Sequence, residues 1–256
     1  MWINPGIGIF ANMKTGEKIL CELVEQRNIE QARHLMRFFK TGEGEYGYGD
    51  KFLGLKVPQT RAVVRKWRNE VQLEDAIELT ESEWHEVRLA GLLLLVELYQ
   101  KAKRRKNEIE CRKIVCRYTD VISRGNNWDL VDLVAPKILG DWLLNHEDER
   151  GILYKLASMD GYLWHQRVAI VSCWTLIRDG QYSDTFKLTT RLMNHKHDLM
   201  HKACGWMLRE VGKRGGAQEL RDYLDRYATK MPRTMLRYAI ERFPEEERLF
   251  YLNLKK

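Results

Sequence analysis

Four short stretches of the chain repeat one pattern: a basic residue, then an apolar one, then a small one. They are Val87-Arg88-Leu89-Ala90, Gln166-Arg167-Val168-Ala169, His201-Lys202-Ala203-Cys204 and Leu236-Arg237-Tyr238-Ala239. Trp128 stands where a missing member belongs, so the anchors 88, 128, 167, 202 and 237 are spaced by 40, 39, 35 and 35 residues. That period suits paired-helix repeats of the HEAT type, in which each unit buries its apolar face against its neighbours. Strand-like alternation is hard to find, and only five Pro interrupt 256 residues. The expected fold is all-α, an α-solenoid of HEAT-like helical repeats. The small residue after each anchor lets neighbouring helices approach closely. Stacked anchors place Arg88, Trp128, Arg167, Lys202 and Arg237 on one face, which predicts a concave basic groove. With a net charge of +7, a polyanion such as a duplex backbone is the favoured partner.

The remaining composition narrows the class. Eight Trp and 31% charged residues argue against low-complexity disorder. Five Cys, at 21, 111, 116, 173 and 204, are odd in number and lie mostly in apolar helical patterns, so free thiols in a reducing cytosol are expected. The strongest apolar run, Leu89 to Tyr99, is interrupted by Glu97 and is too short to span a membrane. Residues 1–12 read as an N-terminal extension without the features of a signal peptide, and 13–256 as a single domain.

Helical periodicity runs from Glu17 to Lys40 with a break near Asn28, and Val57-Pro58 opens a further helix through Trp67. The intervening Gly-rich stretch 41–50 has neither a preceding strand nor a closing Gly-Lys-Ser/Thr, so it reads as a loop and not a phosphate cradle. The run Lys101 to Lys106 reads as a solvated linker between helices, with a secondary phosphate contact as the alternative.

Mid-chain, Arg124-Gly125-Asn126-Asn127-Trp128-Asp129-Leu130-Val131-Asp132 reads as a turn, an N-cap and a helix start. Trp128 and Asp132, four apart, share one helical face. Trp206 follows Lys202 by four residues, the same offset at which Asp132 follows Trp128. Two Trp, one Asp and Arg167 on equivalent repeat positions form a candidate site. Taken singly, the two Trp have an ordinary role as core, and Asp132 as a structural ion-pair partner of Arg167.

Three segments carry a resemblance: Asn127 to Asp132, Leu163-Trp164-His165-Gln166-Arg167-Val168-Ala169, and Lys202-Ala203-Cys204-Gly205-Trp206-Met207-Leu208-Arg209-Glu210. In this order and spacing they resemble the AlkD-type DNA alkylation repair family, DNA glycosylases built of HEAT-like repeats. Phe52-Leu53-Gly54-Leu55-Lys56-Val57-Pro58 also looks like the family's N-terminal segment. The resemblance implies excision of cationic N3- and N7-alkylated purines from duplex DNA without base flipping, by a monofunctional enzyme that uses no cofactor and no metal. It implies catalytic roles for Asp132, Trp128 and Trp206, with Arg167 on a backbone phosphate; the basic repeat anchors Arg88, Lys202 and Arg237, together with Arg209, are expected as further DNA contacts. A monomer in the cytoplasm, associated with the nucleoid, is expected. Of His195, His197 and His201 the last two have helical i, i+4 spacing, but a zinc site needs a third ligand and usually a carboxylate or thiol nearby; a loop and helix start near DNA, with a His or Lys202 reaching a phosphate, is favoured. The alternative from another class is a non-catalytic HEAT-repeat module for damaged or branched DNA, or a protein-interaction scaffold.

Overall fold

The computed structural model of the chain describes residues 13–254; the expected extension over 1–12 lies outside them. The chain forms two compact units, one ending at Leu130 and the other beginning at Val131. Among the described residues there is no β-strand, only an isolated bridge between Lys51 and Trp84.

The first unit contains α1 (Thr15–Glu25), α2 (Ile29–Phe38), α3 (Val57–Trp67), α4 (Leu73–Thr80), α5 (His85–Arg104) and α6 (Glu108–Asp120). The break at Asn28 is an N-cap, its side-chain oxygen accepting the Gln31 N–H at 2.9 Å, as Asn prefers. Val57-Pro58 starts α3, where proline's missing N–H costs nothing. At the centre is α5, packed against α3, α4 and α6, with Leu89, Leu92, Leu94 and Leu95 fully buried. A helix apolar around most of its circumference is stable only when enclosed in this way. The basic run is a correction to the sequence reading. It is no linker from its start: α5 runs through it to Arg104, with Lys101, Lys103 and Arg104 in the last turn. Cations there meet the negative end of the helix dipole.

The short α7 (Trp128–Asp132) contains the boundary between the units. The second unit continues with α8 (Leu139–Leu144), α9 (Gly151–Ala157), α10 (Leu163–Arg178), α11 (Ser183–Leu192), α12 (Asp198–Lys213), α13 (Ala217–Tyr227), α14 (Arg233–Ala239) and α15 (Glu245–Asn253). Helices α8, α10, α12 and α14 pack side by side, while α9 and α11 cover α10, and α11 and α13 cover α12. This is the layered stacking of helix pairs that the 35-residue spacing predicts.

The small residues at the repeat positions do what their size suggests. Ala169, Cys204 and Ala239 are buried on α10, α12 and α14. Beside Cys204, Gly205 has no room for a side chain: a Cβ there would lie 2.5 Å from both the Met235 carbonyl oxygen and Tyr238 Cβ of α14. Gly205→Ala gains about 1 kcal/mol of helix propensity but must push α12 and α14 apart. A net loss of about 1–2 kcal/mol is expected, read as a lower urea midpoint; an unchanged or higher midpoint would refute the close-packing argument.

Candidate active site

Asp132 closes α7 and meets Arg167 of α10. The guanidinium donates from Nε to Oδ1 at 2.9 Å and from Nη2 to Oδ2 at 2.8 Å, while Nη1 donates to the Leu199 carbonyl at 2.7 Å. Such a planar fork sets the carboxylate's orientation as well as its distance. Arg167 is buried and the Asp132 side chain is 16% exposed. The alternative of a pairing with Arg167 is therefore what the structure shows. Each of the three Arg167 nitrogens has a partner inside the unit.

The loop that follows α11 supports this arrangement. His195 Nε2 lies 2.9 Å from Gln166 Oε1, next to Arg167. His197 is the N-cap of α12, its Nδ1 accepting the Leu199 N–H at 3.2 Å. His201 Nε2 is 2.5 Å from the His195 carbonyl. Burial holds the pKa of both His195 and His197 below the usual histidine value, which keeps their ring nitrogens available as acceptors. These rings tie α10 to the start of α12. Among the described residues no cluster of three or more His, Cys, Asp or Glu could hold a metal.

In the first unit Trp128 is half-buried and capped locally, its N–H donating to Asn127 Oδ1 at 2.9 Å. Its ring stacks on Phe39 (centroids 5.4 Å apart, planes 28° apart) and meets Phe38 edge-on at 6.0 Å. Phe38 is 57% exposed. Trp128 thus belongs to an aromatic wall that sequence reasoning did not reach. Behind Phe39 the wall continues through Phe52, 5.2 Å away and nearly parallel, to His85.

Arg88, the first repeat anchor, is also enclosed. It is buried, donating to Asp50 Oδ1 at 2.6 Å, Asn126 Oδ1 at 2.9 Å and the Ser82 carbonyl at 2.9 Å. An Arg at an inward position of the most apolar helix is tolerated only with a carboxylate facing it, and Asp50 supplies that. Of the remaining expected contacts, Lys202 is half-exposed and reaches Asp198 at 2.8 Å, Arg209 pairs with Glu241, and Arg237 is exposed on α14. Trp206 is half-buried on α12.

One further buried group organises the first unit. Glu86 Oε2 accepts the Leu53 N–H at 2.8 Å, and Oε1 accepts those of Gly54 at 2.8 Å and Leu55 at 3.0 Å. Gly54 has φ +94°, and a Cβ there would fall 2.0 Å from the Asn28 carbonyl oxygen, so only glycine fits. The signal for this cluster lies in the sequence of α5, where His85, Glu86 and Arg88 directly precede a continuous apolar run.

A family model described as DNA alkylation repair enzyme matches residues 19–243. The chain belongs to the DNA alkylation repair enzyme family. A solved structure from Enterococcus faecalis, described as a predicted DNA alkylation repair enzyme, shares the fold. It aligns with a TM-score of 0.65 at 18% identity, over 86% of this chain and 98% of that one. No curated protein sequence matches the chain. No helix among the described residues is long and apolar enough to cross a membrane. Membership in the family supports a role in repairing alkylated DNA.

Proposed function

We propose that the chain is an AlkD-type DNA glycosylase that hydrolyses the N-glycosidic bond of cationic N3- and N7-alkylated purines in duplex DNA, without base flipping. The observation that carries this reading is the Asp132–Arg167 fork: a carboxylate rigidly oriented by two hydrogen bonds and still partly exposed. An alkylated purine already bears a positive charge, so it departs neutral and needs little help from a general acid. The demand falls on the sugar, which becomes oxocarbenium-like. Asp132 offsets that charge and orients a water toward C1′, and Trp128 and Trp206 lay electron-rich faces against the cationic sugar, worth roughly 0.5–2 kcal/mol each. Phe38 extends the aromatic surface on the Trp128 side.

Arg167 enters this reading as a positioning residue for Asp132. Phosphate contacts fall to other cations, with the half-exposed Lys202 and the exposed Arg237 the first candidates. Residues 13–256 act as one domain in this reading. We expect it to act as a monomer on DNA in the nucleoid.

The product distinguishes this function from binding alone. Methylated duplex treated with the protein is expected to gain alkali-labile abasic sites without direct strand breaks. Nicks formed without alkali would contradict the monofunctional assignment, and binding without abasic sites would favour the non-catalytic module. Trp128→Ala and Trp206→Ala are each expected to slow release about 3- to 30-fold, the range those ring energies imply. Unchanged rates in both would remove the rings from the site.

A further inference from the structure

We propose that His85 is a positioning residue for Trp128, fixing the orientation of its ring by bridging Asp50, in the loop before α3, to Asp129 in α7. Its effect on rate rests on the excision reading; its effect on the ring rests on the first unit alone.

At five residues, α7 is too short to be stable in isolation, so its first turn takes its geometry from what holds it. Asp129, next to Trp128, is buried, and its Oδ2 lies 2.9 Å from His85 Nε2. The other oxygen, Oδ1, is buried without a hydrogen-bond partner, which leaves His85 as the group that offsets this carboxylate. On the far side of the ring, His85 Nδ1 lies 2.8 Å from Asp50 Oδ2. With a carboxylate oxygen at each nitrogen, both nitrogens must donate, and that requires the imidazolium. The side chain is 2% exposed.

A second route reaches the same Trp. The His85 ring stacks on Phe52 at 4.4 Å and lies 5.0 Å from Phe39, the ring on which Trp128 rests. Movement of the imidazole therefore reaches Trp128 both through the Asp129 backbone and through the Phe39 face.

The charged groups facing this ring are few and balanced. Asp50 comes from the loop and Asp129 from α7; Arg88, on the same helix as His85, shares Asp50. Glu86 is turned to the amides of residues 53–55. Burial disfavours the cation, but Asp129 and then Asp50 outweigh it and raise the pKa from 6.5 to about 9. Because the folded value is raised, the bridge's contribution to stability is fully present below about pH 6.5 and is lost as pH rises through about 9. A neutral imidazole has one N–H for two carboxylates, so one side of the bridge must break.

The test uses the whole protein labelled with 5-fluorotryptophan, with the Trp128 ¹⁹F resonance assigned from Trp128→Phe. In the wild type that resonance should move between pH 7 and 10 with a midpoint near 9. In His85→Gln it should be displaced at pH 7 and show no such transition. Asp129→Asn, which keeps an acceptor but loses the charge, should lower the midpoint and serves if the first variant does not fold. A Trp128 resonance that stays fixed in the wild type, or titrates identically in His85→Gln, overturns the proposal.

In single turnover at pH 7.5, His85→Gln should release base on the order of 10- to 100-fold more slowly with unchanged duplex affinity. Equal rates would overturn the effect on catalysis. A wild type that releases no base would instead overturn the excision reading, and the fluorine titration would still decide the positioning role.

Discussion

Asp132→Asn is expected to release alkylated purines on the order of 10²- to 10⁴-fold more slowly than the wild type in single turnover. Its affinity for the same duplex should stay within a few-fold. The substitution is nearly isosteric, so the variant still offers Arg167 one acceptor, but it removes the negative charge that the developing oxocarbenium needs. It also leaves the buried Arg167 guanidinium without its counter-charge, and a cost of about 3–5 kcal/mol in stability is expected when one partner of such a pair is lost. The two effects separate experimentally. A purely structural ion pair predicts a lower melting temperature with unchanged release at a temperature where the variant is folded. A carboxylate that acts on the sugar predicts that release falls even there. Normal release by folded Asp132→Asn would remove Asp132 from the chemistry.

Glu86→Gln should be the most damaging single change for stability in the first unit. Both carboxylate oxygens accept backbone N–H groups. An amide presents one oxygen and one NH₂, so whichever way it turns, a donor faces a donor. Each N–H bond to a charged acceptor contributes roughly 1.5–3 kcal/mol, and the buried N–H left facing the NH₂ adds a desolvation cost. A loss of about 3–5 kcal/mol is expected, roughly 10 °C of melting temperature for a chain of this length. A change below about 1 kcal/mol in urea unfolding would show that the 53–55 turn holds itself. The turn also packs Phe52 into the aromatic wall, so release should weaken in this variant too.

Periodicity made the helices legible. The 35-residue spacing is a direct consequence of stacking α10, α12 and α14, and local chemistry marked Asn28 as a cap and Val57-Pro58 as a helix start. The pairing of Asp132 with Arg167 was visible as one of two alternatives because Arg167 is a repeat anchor and Asp132 lies four residues past the anchor Trp128. The burial of two of the anchors was not legible. Arg88 and Arg167 look like exposed cations by spacing, but whether an Arg reaches solvent depends on a partner far along the chain. Asp50 lies 38 residues from Arg88, and Asp132 lies 35 from Arg167. The aromatic wall and the Glu86 turn were missed for the same reason. They join the loop at 50–55 to the start of α5 across more than 30 residues, a distance that helical periodicity does not report.

Base release is the activity on which the roles of Asp132, Trp128 and Trp206 depend. Duplex DNA carrying 3-methyladenine and 7-methylguanine is incubated with excess wild-type protein at low salt, and the free bases are quantified by mass spectrometry against a no-protein control. Release of at least one of these bases well above spontaneous depurination is expected. Release no faster than the control, from DNA the protein demonstrably binds, would contradict the glycosylase reading.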